Sequence, residues 1–504
     1  MTGPVEGGPG GGARASDDGD DPLGWALDRL RESFRAGTLT PVQVLDATLD
    51  RIAEADPVLN AMAGLAGDSA RAAAEAATRR WAAGQPLGEL DGVPVTVKDS
   101  VRTVGLAWRH GSAAYSDLPV SSTDAPPAAR LKEAGAVIVG NTTMPDFGML
   151  AAGVSSLYGI TRNPWDPTRS PGGSSSGGGA SLAAGIGFGS VGSDIAGSVR
   201  LPAAQCGLVA LKPTQGRVPH LPVSTMRSAG PMARTVDEVT ALYRVLSRPD
   251  PRDVWSLPPE APDQRAEALH PAGLRVGLLT DLGHGPAPTA PVLAAVHAAA
   301  TALESAGATV EPVAAPFGTG SGGAAPDVAL DRLFQVRARA EYEALSPERR
   351  ELVLPEVADW AAEAAGRTAV AFSRDTDAVL AAQELLRDRL SGYDLVLSPV
   401  LPMVGFPAEA VGPDPARPLA HTGFTAWYNQ TGQPAASLCF GMDDGCPVGV
   451  QLAGRRFHDQ LVLRAAGWLE AQRPFAMSWP VPAGPAAPWP VRIGADAGRT
   501  EVGR

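Results

Sequence analysis

Two short segments carry the residues able to do chemistry in this chain. Ser174-Ser175-Ser176 lies between Pro171-Gly172-Gly173 and Gly177-Gly178-Gly179, and Gly192-Ser193-Asp194-Ile195-Ala196-Gly197-Ser198 follows soon after. Upstream, Asp91-Gly92-Val93-Pro94-Val95-Thr96-Val97-Lys98-Asp99 sets a single lysine at the end of an apolar, β-prone run. A serine hydroxyl becomes a useful nucleophile only when a base takes its proton. No histidine is close in sequence to either serine cluster, and Lys98 is the alternative base. A lysine serves in that role only when neutral, and burial is what disfavours its ammonium form. A helix beginning at Ser198 would be preceded by the N–H groups of Ile195, Ala196 and Gly197, converging on one point as donors to an oxyanion. The parts suit a hydrolase that needs no histidine.

Plainer readings exist for each part. The composition of Ser170 to Ser181 is that of a flexible linker, and an isolated lysine at a strand end usually faces water. A linker joins domains, yet Thr161-Arg162-Asn163-Pro164-Trp165 precedes this segment and an Ala-rich apolar stretch follows it, with no boundary on either side. Glycine on both flanks also lets backbone approach a ligand closely.

The elements that must position these residues are legible as an alternation. Thr40-Pro41 opens a helix whose apolar face is Val42, Leu45, Leu49 and Ile52, and Asp56-Pro57 closes it. A second helix is expected over Ser69–Trp81, a strand over Val93–Val97 with Lys98 at its end, and a helix over Pro126–Ala134 closed by Gly135. The strand Ala136–Val139 leads to a loop at Gly140-Asn141. Strand and helix signals recur at Leu274–Leu279 and Val292–Ala306, and Tyr393–Ser398 reads as a further strand. Ala315–Pro326 reads as a loop rimming a pocket, and Asp327–Leu390 as mostly helical. Such alternation predicts an α/β fold. No repeat and no break in composition divides the chain, so one large domain is expected over residues 22–475. The Gly/Asp-rich residues 1–21 are expected to be a disordered tail, and the Pro-rich residues 476–504 a C-terminal tail.

With 504 residues, 44% of them hydrophobic and 19% charged, the composition is that of a soluble globular protein. A formal net charge of −12 argues against broad binding to nucleic acid. The three cysteines show no CxxC spacing and the seven histidines form no HxxH or HExxH, so neither a disulfide framework nor a metal site is expected. No apolar stretch reaches the roughly 20 residues that span a bilayer, and no signal peptide precedes the ordered region. Cytoplasmic localisation is the expectation, and a homodimer the base-rate expectation for assembly.

The chain resembles the amidase signature family through Asp91-Gly92-Val93-Pro94 to Lys98-Asp99, Gly140-Asn141-Thr142-Thr143-Met144-Pro145-Asp146-Phe147 and Thr161-Arg162-Asn163-Pro164-Trp165. The series continues with Pro171-Gly172-Gly173-Ser174-Ser175, Gly192-Ser193-Asp194 to Arg200, Leu211-Lys212-Pro213-Thr214, Gly230-Pro231-Met232-Ala233-Arg234-Thr235 and Gly449-Val450-Gln451-Leu452. Each motif is weak alone; their joint order is specific. The resemblance implies a single domain with a central mixed β-sheet flanked by helices. It implies a Ser–cis-Ser–Lys triad with Lys98 as base, Ser174 as relay and Ser198 as nucleophile. Ser175 and Ser176 compete for the relay, and the family spacing favours Ser174. The oxyanion donors would be Ile195, Ala196 and Gly197, with Asp194, Arg200 and Ser175 in support beside Asp99 and Asn163. Gly148, Met149, Trp427 and Asn429, with Tyr428, would line the substrate pocket. No metal or organic cofactor is implied. The commoner family pattern has Gly-Gly before the nucleophile, so Ala196 is a departure, strained if its φ were positive.

Hydrolysis of a small or medium apolar or aryl carboxamide is the leading expectation for function. The alternative is the glutaminase subunit of an aminoacyl-tRNA amidotransferase, which would need a protein partner. Esterase activity through the same site and a catalytically silent binding protein on this fold are the remaining readings.

Overall fold

The computed structural model describes residues 21–260, 269–318 and 325–480 of the chain. The expected tails, apart from Asp21 and residues 476–480, lie outside the described residues, as does part of the loop expected at Ala315–Pro326. Asp21 accepts a hydrogen bond from the Leu23 N–H and pairs with Arg51, so it belongs with the ordered chain.

Thirteen strands occur among the described residues. In chain order they are β1 (Met62–Leu65), β2 (Pro94–Lys98), β3 (Val137–Thr142), β4 (Val154–Ser155), β5 (Gly159–Ile160), β6 (Gly189–Asp194) and β7 (Val209–Lys212). Next come β8 (Ser228–Ala233), β9 (Arg275–Leu278), β10 (Thr309–Pro312), β11 (Leu395–Pro399), β12 (Ala435–Asp443) and β13 (Cys446–Gly454). Eleven of them form one sheet in the order β1-β3-β2-β6-β8-β7-β12-β13-β11-β9-β10, while β4 and β5 make a small ribbon. The sheet is mixed. β2 runs parallel to both β3 and β6, whereas β6–β8, β7–β8 and β12–β13 are antiparallel. Helices cover both faces, so the central strands are buried throughout, as their Val-rich sequences require.

Local signals set most boundaries. Thr40 caps the helix Pro41–Leu59 in a capping box with Gln43, and Thr235 does the same with Glu238 for Val236–Leu246. The first helix runs on through Pro57, beyond the end expected at Asp56-Pro57. A proline so near the terminus removes one hydrogen bond from a turn about to end, and Asn60 closes the helix in a left-handed conformation. The expected loop at Gly140-Asn141 is part of β3 instead. A side chain at Gly140 would collide with the Gly64 carbonyl of the neighbouring strand, so the glycine permits close strand pairing here rather than a turn.

The region 325–390 is helical, as expected, with helices at Pro326–Glu343, Pro355–Ala362 and Ala369–Leu390. They pack over an apolar cluster that includes Phe147, Met149, Ala196, Phe334, Trp360 and Trp427. That cluster lies beside the second serine segment, while a larger one fills the space along the sheet.

Candidate active site

Alternation along β2 sends Val95 and Val97 to one face and Thr96 and Lys98 to the other. Lys98 is 1% exposed. Its Nζ lies 2.7 Å from Ser174 Oγ and 3.2 Å from Ser193 Oγ, the latter on the neighbouring strand β6. Burial lowers the lysine pKa to about 7; the Arg227 charge pushes the same way, and Asp194 and Asp99 oppose it.

Ser174 follows a cis peptide bond from Gly173, the geometry the resemblance implies. A Cβ at Gly173 would collide with the Ala152 backbone, so only glycine fits. Gly148 flanks Ser174 closely, since a Cβ there would lie 3.3 Å from its Oγ. The Ser175 N–H donates to the Ser198 carbonyl at 3.1 Å and ties the two serine segments together. Among the described residues no hydrogen bond joins Ser174 Oγ to Ser198 Oγ. Such contacts commonly tighten only when substrate binds.

The loop after β6 winds around the carboxylate of Asp194. That group accepts the N–H of Gly197 at 2.7 Å and of Val199 at 3.3 Å, and pairs with Arg200 through Nε at 3.0 Å and Nη2 at 2.9 Å. Burial would raise the Asp194 pKa, but the Arg200 charge and hydrogen bonds hold it at about 2. Two expectations change here. The helix starts at Arg200 (Arg200–Cys206), so Ser198 precedes it rather than beginning it. The Gly197 N–H is committed to Asp194, which leaves Ile195, Ala196 and Ser198 as the N–H groups without an acceptor among the described residues.

The positive φ in this loop falls on Gly197, at 121°, and not on Ala196. The Ala196 departure therefore brings no left-handed backbone.

Arg200, fully buried, also donates to the Thr425 carbonyl, Gln451 Oε1 and Asn429 Oδ1. Asn429 spends its amide nitrogen on the carbonyls of Asp194 and Met226. It braces the loop from behind, a correction to its expected place on the pocket wall. Met149 and Trp427 lie in the apolar cluster with Ala196, and Trp427 Nε1 donates to His284 Nε2. The Tyr428 side chain is buried in that cluster too. Asp99 accepts from the N–H groups of Arg109 and Gly111 and from the Tyr158 hydroxyl, with burial raising its pKa to about 6. Asn163 ties its own segment to the Gln205 carbonyl and the Trp165 N–H.

Sequence reasoning missed Ser193, Thr425, Gln451 and Arg227. Ser193 and Gln451 lie inside the family motifs, but alternation along β6 sets Ser193 on the face of Val191, so its contact with Lys98 was not legible from the strand pattern. Nothing local marks Thr425, whose hydroxyl donates to the Ala196 carbonyl from 229 positions away.

A buried lysine hydrogen-bonded to a serine thus sits on a mixed α/β sheet, the arrangement the resemblance implies. The chain belongs to the amidase family, whose model matches residues 43–463, and so to the hydrolases that act on amide C–N bonds. It is 34% identical over 465 residues to a glutamyl-tRNA(Gln) amidotransferase subunit from Symbiobacterium thermophilum, covering 87% of this chain and 94% of that one. It is 36% identical to the subunit of the same name from Anaeromyxobacter sp. (strain K), with 88% and 96% covered. Among solved structures, a bacterial aryl acylamidase of the amidase signature family superposes with a TM-score of 0.82 at 27% identity, covering 92% of this chain and 99% of that one. A 6-aminohexanoate cyclic dimer hydrolase superposes with a TM-score of 0.80 at 28% identity, covering 91% and 99%.

Proposed function

We propose that this protein hydrolyses a carboxamide through an acyl-enzyme on Ser198. The observation that carries the reading is the 2.7 Å contact between Lys98 Nζ and Ser174 Oγ, made where burial brings the lysine pKa to about 7. Neutral Lys98 takes the Ser174 proton as Ser174 takes that of Ser198. Ser198 Oγ bonds to the amide carbon, and the oxyanion settles on the N–H groups of Ile195 and Ala196. The proton returns through Ser174 to the leaving nitrogen as the C–N bond breaks. Water then enters by the same relay and releases the acid. Esters, which are easier acyl donors, are expected to react at the same serine.

The apolar cluster around Phe147, Met149, Ala196 and Trp427 supports an apolar or aryl acyl group. The similarity to glutamyl-tRNA(Gln) amidotransferase subunits along most of the chain favours a more particular form of the same chemistry, release of ammonia from glutamine for a partner protein.

Intact-mass spectrometry after exposure to a fluorophosphonate tests the acyl-enzyme. One adduct on the wild type, absent from Ser198→Ala, is the expected result; well-folded protein that takes no adduct would overturn a free-standing acyl-enzyme in favour of a silent binding protein or a subunit that needs its partner. Assays of glutamine and of an anilide panel then divide the two forms. Glutamine hydrolysis that depends on a co-purifying protein marks the component of a complex, whereas anilide turnover by the isolated chain marks a free-standing amidase.

A further inference from the structure

Beside the Lys98–Ser174 pair lies a group of cationic and imidazole side chains that the hydrolytic mechanism does not use. Strand register places the first of them. β6 and β8 pair antiparallel with Asp194 opposite Ser228, so Arg227, one residue before Ser228, lies where the chain across from it turns into the Ile195–Gly197 loop. Asn429 fixes that approach, because its amide nitrogen bonds the carbonyls of both Asp194 and Met226. The Arg227 backbone is pinned as well, its N–H on Ser224 Oγ and its carbonyl on Gln215 Nε2. Its guanidinium makes no hydrogen bond or ion pair among the described residues.

Arg337 reaches the same region from the helix Pro326–Glu343. Its neighbours Phe334 and Ala338 belong to the apolar cluster that holds Ala196 and packs on Ile195. Arg337 Nε is buried without a partner among the described residues. His220 is 3% exposed, and both its ring nitrogens are buried and unpaired among those residues. These groups are close enough to feel one another. Burial first, then the charges of Arg227 and Lys98, lower the His220 pKa to about 3, and Arg337 opposes the protonation of Arg227. Glu341 is the carboxylate that Arg227 senses, and it forms no ion pair with it within 4 Å.

Two guanidiniums near each other, neither ion-paired to a carboxylate among the described residues, and beside a neutral imidazole with nothing to bond, are costly in a half-buried place. A carboxylate meets all of these groups, because it accepts two parallel N–H bonds from a guanidinium and has lone pairs left for a second donor. We propose that the amide substrate carries a carboxylate, held by Arg227 and Arg337 with His220 as a further hydrogen-bonding group. The position of the scissile bond rests on the acyl-enzyme reading above; the anion site itself does not. Glutamine carries such a carboxylate, and so do mono-amides of dicarboxylic acids.

The test compares 4-nitroanilides of succinic, glutaric and adipic acids, each with its free terminal carboxylate, against the neutral butyryl, valeryl and hexanoyl 4-nitroanilides. Arg227 also influences Lys98, so the quantity read is the ratio of kcat/KM for acid over neutral partner at one pH, from which any change in the base cancels. Wild type should prefer at least one acid anilide by about 10-fold or more, and Arg227→Gln or Arg337→Gln should lower that ratio by about 10-fold to 100-fold. Arg337→Lys should recover part of it. No acid preferred by wild type, or a preference intact in both glutamine variants, would overturn the proposal.

Calorimetry on Ser198→Ala protein separates this from failure of the acyl-enzyme reading. Acid anilides that bind more tightly than neutral ones, and lose that margin in Ser198→Ala/Arg337→Gln, support the anion site even if no amide turns over. Equal binding of the two series counts against it.

Discussion

The chain buries two lysines at strand ends of one sheet, and they make an instructive pair. Lys98 ends β2 and Lys212 ends β7, both are essentially unexposed, and burial lowers each pKa to about 7. Their neighbours differ. Lys98 Nζ meets the hydroxyls of Ser174 and Ser193, which can give up or pass on a proton. Lys212 Nζ donates to the Pro213 carbonyl at 2.7 Å, an acceptor with no proton to exchange, and feels the carboxylates of Asp194 and Asp459. Desolvation makes a lysine easier to neutralise; only a protic neighbour aligned with a nucleophile turns it into a base. Perturbed titration alone would have nominated both.

The comparison breaks or sharpens at defined places. The largest effect is expected for Ser198→Ala, which should bring amide turnover to the assay floor, on the order of 10⁵-fold below wild type, with the far-UV spectrum unchanged. Lys98→Met should lower kcat/KM by about 10²–10⁴-fold, with residual activity moving to high pH where hydroxide replaces the base. If Lys98→Met kept wild-type rates, the distinction between the two lysines would collapse.

Asp194→Asn should act through stability. It removes the counter-charge of fully buried Arg200 and should cost about 3–5 kcal/mol in chemical denaturation. A smaller change is expected in the pH profile. On the proposed mechanism Lys98 acts in its neutral form, so wild-type kcat/KM should rise with pH through about 7 and then level off. Arg227 is a positive charge that holds that pKa down, so Arg227→Gln should move the rising limb upward by about half a unit to one unit. A downward shift would contradict the electrostatics.

The smallest effect belongs to Lys212→Met. It should leave the limb near pH 7 in place and turnover within about threefold, with a loss of about 1–3 kcal/mol in stability from the unpaired Pro213 carbonyl. A displaced limb would transfer the titration from Lys98 to Lys212.

Much of the fold was readable because local rules set it. Thr40-Pro41 and Pro126 start helices by capping and by proline at the first turn, and the Val-rich runs at Val93 and Val137 become buried parallel strands. The errors lie where a distant residue overrides a local preference. Gly140 looks like a turn until Gly64 comes to lie against it. Asn429 looks like a pocket residue until Arg200 and Asp194 claim its amide. The eleven-strand order, with β12 and β13 between β7 and β11, joins segments whose pairing no local pattern encodes.

What the sequence determined by itself is the set of groups able to react and the backbone freedom around them. Ser174, Ser198 and Lys98 are there with the glycines their segments require, since side-chain chemistry and allowed φ are properties of the residues. The tertiary structure decided which groups are free to act. It spends the Gly197 N–H on Asp194, places Ser174 rather than a carbonyl against Lys98, and leaves the Arg227 guanidinium and Arg337 Nε without acceptors among the described residues. Desolvation, Coulomb interaction and hydrogen bonding depend on neighbours in space, and those neighbours come from strands and helices far apart in the chain.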